Sequence, residues 1–153
     1  MSKKSLLAIL GFVFLTGCAS YKQGDQTVEV ELRKFLPPAN TKTSLYVCRE
    51  DSFFASEVRT TVIVDNTDIG TTRRNTFVHS VVDAGKHIVQ IKNDGIAAIS
   101  NTSISFDSEP GEIAFLWIGV TGHGWGAYTI DHFEGKKQGM DCVKNATYSI
   151  KAN

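Results

Sequence analysis

Apolar and polar residues alternate along much of the chain. Over Thr27–Phe35, Val28, Val30 and Leu32 fall on one side and Glu29, Glu31 and Arg33 on the other. That two-residue period predicts a half-buried strand, a first or edge strand, stopped by Pro37-Pro38. Ser44–Arg49 predicts a second, with Leu45 and Val47 facing one way and Tyr46 and Cys48 the other. Val58–Asp65 is rich in β-branched residues, as strands prefer. Ile69–Arg73, Thr76–Val82, His87–Lys92, Thr102–Phe106 and Ala127–Phe133 continue the pattern, and Ile96–Ile99 is a short apolar piece. Asp65–Asp68, Asp83–Lys86, Asn93–Gly95 and Ser108–Gly111 carry turn chemistry, and Gly70 suits a bulge or a close approach. Glu112–Thr121 is different: its apolar residues run on without alternation, as in a central strand buried on both faces. Cys142–Ile150 predicts a closing strand, and Glu134–Asp141 leaves room for a short helix. No helical period of ten or more residues is visible beyond residue 18. Short strands separated by turns predict an all-β fold, a single small β-sandwich.

One apolar run lies outside this scheme. Leu6–Leu15 is far shorter than the roughly 20 residues that cross a bilayer. Lys3 and Lys4 precede it and Leu15-Thr16-Gly17-Cys18 ends it. The arrangement resembles the signal peptide and lipobox of bacterial lipoproteins. The resemblance implies removal of residues 1–17 and a lipid on Cys18. Ala19 rather than Asp follows the cysteine, which in Gram-negative lipoproteins implies retention at the outer membrane, facing the periplasm. The expected organisation is a signal peptide over 1–17, a lipidated N-terminus with tether and edge strand over 18–42, and the sandwich over 43–153. Ala19–Gln26, polar and without apolar pattern, is expected to be the tether.

Charge narrows the partners. The chain has 16 basic and 16 acidic residues. Without Lys3 and Lys4, 14 basic residues face 16 acidic ones, a formal charge of −2. Such a balance argues against nucleic-acid binding and supplies no polybasic run for lipid headgroups. Membrane attachment is therefore expected through the N-terminal lipid. With Cys18 assigned to lipid, Cys48 and Cys142 remain, and in an oxidising compartment they allow one intramolecular pair. A Cys48–Cys142 disulfide is the expectation; two buried free thiols are the alternative.

The segment Val62-Ile63-Val64-Asp65-Asn66-Thr67-Asp68-Ile69-Gly70 resembles the strand, Asp turn and Gly return of PEGA-type domains. Val81-Val82-Asp83-Ala84-Gly85-Lys86-His87-Ile88-Val89 is similar to their Gly-Lys-His hairpin. Ser44–Arg49 resembles the opening strand and arginine of a related group of bacterial lipoproteins. The resemblance covers about Thr43–Phe106. It implies an immunoglobulin- or transthyretin-like sandwich on the cell envelope, without enzymatic activity and without catalytic residues to carry over.

Candidate chemistry is sparse. His79, His87, His123 and His132 show no metal-ligand spacing, so neither a metal nor a cofactor is expected. His79 and His87 flank one turn and could approach across a hairpin, although exposed hairpin histidines are common. A cysteine–His132 dyad can be drawn, but the disulfide explains the cysteines more simply. Gly122-His123-Gly124-Trp125-Gly126 lacks the Lys-Ser/Thr of a phosphate cradle. It reads either as a hairpin turn or as a presented recognition loop of His123, Trp125 and Tyr128, aromatics being enriched at contact surfaces. The expected role is non-enzymatic binding or structure in the envelope, toward an envelope protein or the cell wall, through loops or a strand edge. A sandwich subunit of an envelope machine such as type VI secretion, and a glycan- or peptidoglycan-binding module, are the alternatives.

Overall fold

The computed structural model describes residues 21–51, 57–94, 102–121 and 127–152. The elements in chain order are β1 (Lys22–Gln23), α1 (Gln26–Leu32), β2 (Lys42–Arg49), β3 (Thr60–Val64), β4 (Thr67–Thr72) and β5 (Thr76–Asp83). They continue with β6 (Gly85–Asn93), β7 (Thr102–Ser108), β8 (Ile113–Thr121), β9 (Ala127–His132), α2 (Lys136–Asn145) and β10 (Thr147–Ile150). Among the described residues the strands form two sheets. A six-stranded sheet has the order β1-β10-β5-β2-β8-β9, and a four-stranded sheet the order β4-β3-β6-β7. The chain is mostly β with two sheets, as a sandwich requires.

Between the sheets lies one core, built from every second residue of each strand. Leu45 and Val47, Leu116 and Ile118, and Val78 from the larger sheet meet Val62, Val89, Ile91 and Phe106 from the smaller. The odd-numbered side of β8 and the even-numbered side of β2 point away from that core. Tyr46, Cys48, Phe77 and Phe115 form a second apolar layer there, covered by Val143, Met140, Leu32 and Phe35. The helices therefore cover the outer face of the six-stranded sheet. β2 is buried from Thr43 to Arg49 without interruption, and Ala114–Leu116 and Ile118–Gly119 of β8 are buried too. The unbroken apolar run of β8 has the two-sided burial that its lack of alternation predicts.

The β3–β4 hairpin turns on Asp65 and Asn66, both at positive φ (45° and 69°), the requirement of a two-residue primed turn. Asp65 and Asn66 tolerate that conformation, whereas Thr67 and Asp68 already belong to β4. At Gly70 the register shifts, because Val62 pairs with Gly70 but Ile63 with Asp68. Gly70 has φ 144°, and a Cβ there would lie 2.9 Å from Val78 Cγ1. Bulge and close approach coincide at this glycine.

Four expectations are corrected. Thr27–Phe35 is not a strand; Gln26–Leu32 is a helix. Asp25 caps it, its Oδ1 accepting from the backbone N–H of Thr27 and Val28 at 2.7 and 3.2 Å. Glu29, not a valine, is the buried residue, paired with Arg33 at 2.8 Å and accepting the Tyr148 N–H at 2.8 Å. Val28 and Val30 remain exposed, so the alternation did not report burial. Nor is Tyr21–Gln26 a free tether: β1 pairs antiparallel with β10, Lys22 opposite Ile150. Cys142–Asn145 ends α2 rather than beginning a strand, and the strand β10 is confined to Thr147–Ile150. The helix is ten residues long but buries only Gly139 and Val143, too little apolar surface to show a period. Finally, Asp83–Lys86 is not a hairpin turn. β5 pairs with β2 and β10, β6 with β3 and β7, so Ala84 carries the chain from one sheet to the other.

Cys48 of β2 and Cys142 of α2 form a disulfide, their Cα atoms 6.3 Å apart and 94 residues apart in sequence. It fastens α2 to the central strand of the sheet. A loop this long corresponds to about 4–5 kcal/mol in the chain-entropy account, and measured losses on removing native disulfides run at about 2–5 kcal/mol. We predict that Cys48→Ala with Cys142→Ala lowers the unfolding free energy in urea by about 2–5 kcal/mol. Unfolding of the unsubstituted protein in reductant should show the same loss; an unchanged midpoint in both would contradict it.

Candidate functional site

Of the predicted recognition residues, His123 and Trp125 lie outside the described residues, as do Cys18 and Ile96–Ile99. Tyr128 does not belong to a presented surface. Its ring is 1% exposed and packs in the inter-sheet core. Its phenol lies 3.4 Å from Arg49 Nη2, and the guanidinium carbon stands 5.0 Å from the ring centroid. Burial raises the Tyr128 pKa, against the opposing pull of the Arg49 charge.

Arg49 itself is 2% exposed. Placing a guanidinium in an interior requires polar partners. Arg49 Nη1 donates to Val58 O at 2.5 Å and to Thr60 Oγ1 at 3.3 Å, and Thr60 donates to Asn93 Oδ1 at 2.7 Å. Burial pulls the Arg49 pKa down while Tyr128 pulls it up. The arginine that ends the predicted strand Ser44–Arg49 thus closes one end of the core.

The two histidines expected near one turn lie in different places. His79 is on the outer face of the six-stranded sheet. Its Nε2 is 2.7 Å from Ser44 Oγ and its ring is 4.6 Å from that of Tyr46. Burial lowers its pKa to about 4, so it is neutral near pH 7. His87 lies at the rim of the inter-sheet core, stacked on Phe106 at 5.4 Å. Burial opposes its charge, but Asp65 Oδ2 at 2.6 Å and the Asp83 carbonyl at 2.7 Å outweigh that and raise its pKa. The Asp65 carboxyl is lowered in turn by His87 and by the Ile88 N–H. Among the described residues no group of three His, Cys, Asp or Glu side chains is placed to hold a metal ion.

A groove of about 550 Å³ runs beside α2, over the outer face of β8 and β9. Trp117 forms one wall. Its indole lies along β8 over Gly119, where a Cβ would come within 1.5 Å of Trp117 Cζ3, and its Nε1 donates to His132 O at 3.1 Å. Glu50, Asp51, Glu134 and Asp141 also line the groove, with Cys142 at its edge. Asp51 is held by Arg74 and Asp141 by Lys137, each with its pKa lowered by that hydrogen bond. Carboxylates and a half-buried indole thus line a cleft that could receive a ligand. The cysteine there is consumed by the disulfide, so it offers no thiolate. Trp117 was legible only as part of an apolar run. The space over Gly119, two residues on along the same face, was the signal that its ring lies flat.

No protein-family model matches the chain. It is similar to an uncharacterized protein of Haemophilus influenzae, 23% identical over 129 residues that span 82% of this chain and 74% of that protein.

The lowered pKa of His79 has a stability consequence. A histidine whose folded pKa lies below its unfolded value loses stability as pH falls from about 6.5 toward about 4, because the unfolded chain takes the proton first. At about 1.4 kcal/mol per pKa unit, the full loss is about 3 kcal/mol. His87 has the opposite sign: its contribution is present below about 6.5 and fades as pH rises through its raised pKa. His79→Asn should flatten the fall in melting temperature between pH 7 and pH 5. A fall unchanged by that substitution would exclude His79 as its source.

Proposed function

We propose that this chain is a lipid-anchored lipoprotein of the bacterial outer membrane, facing the periplasm, with a non-enzymatic binding role in the cell envelope. One observation carries the reading. The chain has three cysteines, and the fold joins Cys48 to Cys142. The remaining cysteine is the one that follows Leu15-Thr16-Gly17. A domain that stores a disulfide between its central strand and a helix suits an oxidising compartment, and the same sequence feature that directs export provides the lipid site.

The binding role rests on the groove beside α2, where Trp117 and the flanking carboxylates face solvent. An activity built on a cysteine–histidine dyad is disfavoured, because Cys48 and Cys142 hold each other rather than His132. The finer assignment to a PEGA-like sandwich is supported by the β3–β4 hairpin over Val62–Gly70, one of the segments that carry the resemblance. Partner classes remain those of an envelope protein or the cell wall.

Cys18→Ser tests the anchor. The substituted protein should move from the membrane to the soluble fraction on cell fractionation while its disulfide-bonded domain stays folded. Retention in the membrane fraction would overturn the proposal.

A further inference from the structure

We infer that the β1–β10 edge of the sandwich rests against the phosphate headgroups of the membrane that holds Cys18. The inference rests on the lipid-anchor reading above and adds an orientation to it. Its basis is the shortness of the connection. Tyr21 already touches the fold, with the Arg73 guanidinium 4.0 Å from its ring centroid, and Lys22 and Gln23 are paired with Ile150 and Ser149. Only Ala19 and Ser20 separate Cys18 from Tyr21. At 3.3–3.6 Å per residue that stretch reaches about 10 Å. The six-stranded sheet, at about 4.8 Å per strand, spans about 24 Å from β1 to β9. The leash is shorter than the sheet is wide, so the domain cannot turn its β9 and β7 side to the lipid.

The charges agree. Lys22, Arg73 and Lys151 are exposed around the point where the chain leaves the fold. Lys22 lies opposite Ile150 in the ladder, Lys151 follows it, and Arg73 stacks over Tyr21. Of the three, Lys151 faces a carboxylate, Asp68 Oδ2 at 3.6 Å. These cations are far apart in sequence, and the fold collects them on one edge of a domain whose formal charge is −2 without Lys3 and Lys4. Three exposed cations add local attraction to an anionic surface, while the acyl chains supply the attachment.

The test uses the full lipidated protein in vesicles of phosphatidylethanolamine and phosphatidylglycerol. With Cys18 lipidated and Cys48 bonded to Cys142, one added cysteine can be labelled selectively. Fluorophores are placed at Gln23→Cys on β1 or at Ser105→Cys on β7, and lipids with nitroxide headgroups act as quencher. The expected result is several-fold stronger quenching at position 23 than at 105, and loss of that contrast when a long Gly/Ser segment is inserted after Ser20. Equal quenching in vesicle-bound protein of native spacing overturns the orientation while leaving the anchor intact. Failure of the protein to float with vesicles, with no lipid on Cys18, overturns the anchor and the orientation together. Lys22→Glu with Lys151→Glu should weaken quenching at position 23 in protein that still floats; unchanged quenching would overturn the headgroup contact.

Discussion

Burial of β2 on both of its faces is the constraint that shapes the rest of the molecule. Leu45 and Val47 are fully buried against the four-stranded sheet, while Tyr46 and Cys48 are buried on the opposite side. At about 1.5–3 kcal/mol for each large apolar side chain taken from water, neither side can be left exposed without a substantial loss. One face is closed by the second sheet. The other is closed by short helices near the two ends of the described chain, and each of these is fastened to the sheet by a specific bond. The disulfide holds α2. Tyr46 Oη donates to Leu32 O at 2.9 Å, and Arg33 Nη2 donates to Ala146 O at 2.7 Å, which joins the end of α1 to the end of α2. The Glu29 carboxylate completes the arrangement by accepting the Tyr148 N–H at the start of β10.

This explains which parts of the fold could be read from sequence. Strands such as β3, β6 and β7 were legible because their burial follows the two-residue period of the pleat, and β2 and β8 because apolar side chains on both sides of a strand signal burial on both faces. The helices were not. α1 has seven residues, and its valines alternate for reasons unrelated to burial. The informative signals were Asp25 as a cap and the Glu29–Arg33 spacing of four, both weaker than an apolar period. α2 presents Gly139, Val143 and a bonded cysteine to the sheet, and little else apolar. The corner at Ala84 was illegible for another reason. A glycine turn between two strands looks the same whether the chain folds back in one sheet or crosses to another, since only long-range pairing separates the two.

The site was less legible than the fold. The disulfide followed from counting cysteines once Cys18 was set aside. From sequence Tyr128 reads as a presented aromatic, but its phenol lies inside, beside the buried Arg49. Trp117 was hidden within an apolar run, yet its position over Gly119 leaves it on the wall of the groove. Residues that look available for recognition in a β-rich sequence are divided between core and surface by strand parity, and parity is set by pairing that the local pattern does not contain.

The proposed lipid on Cys18 and the Cys48–Cys142 bond are both read by a single measurement. It is the intact mass of the protein extracted from membranes without reductant. The predicted mass is that of the chain from Cys18 onward, raised by the acyl groups of a lipid-modified N-terminal cysteine and lowered by the two hydrogens lost in the Cys48–Cys142 bond. A mass showing an unmodified Cys18, or a chain that still begins upstream of it, would contradict the account.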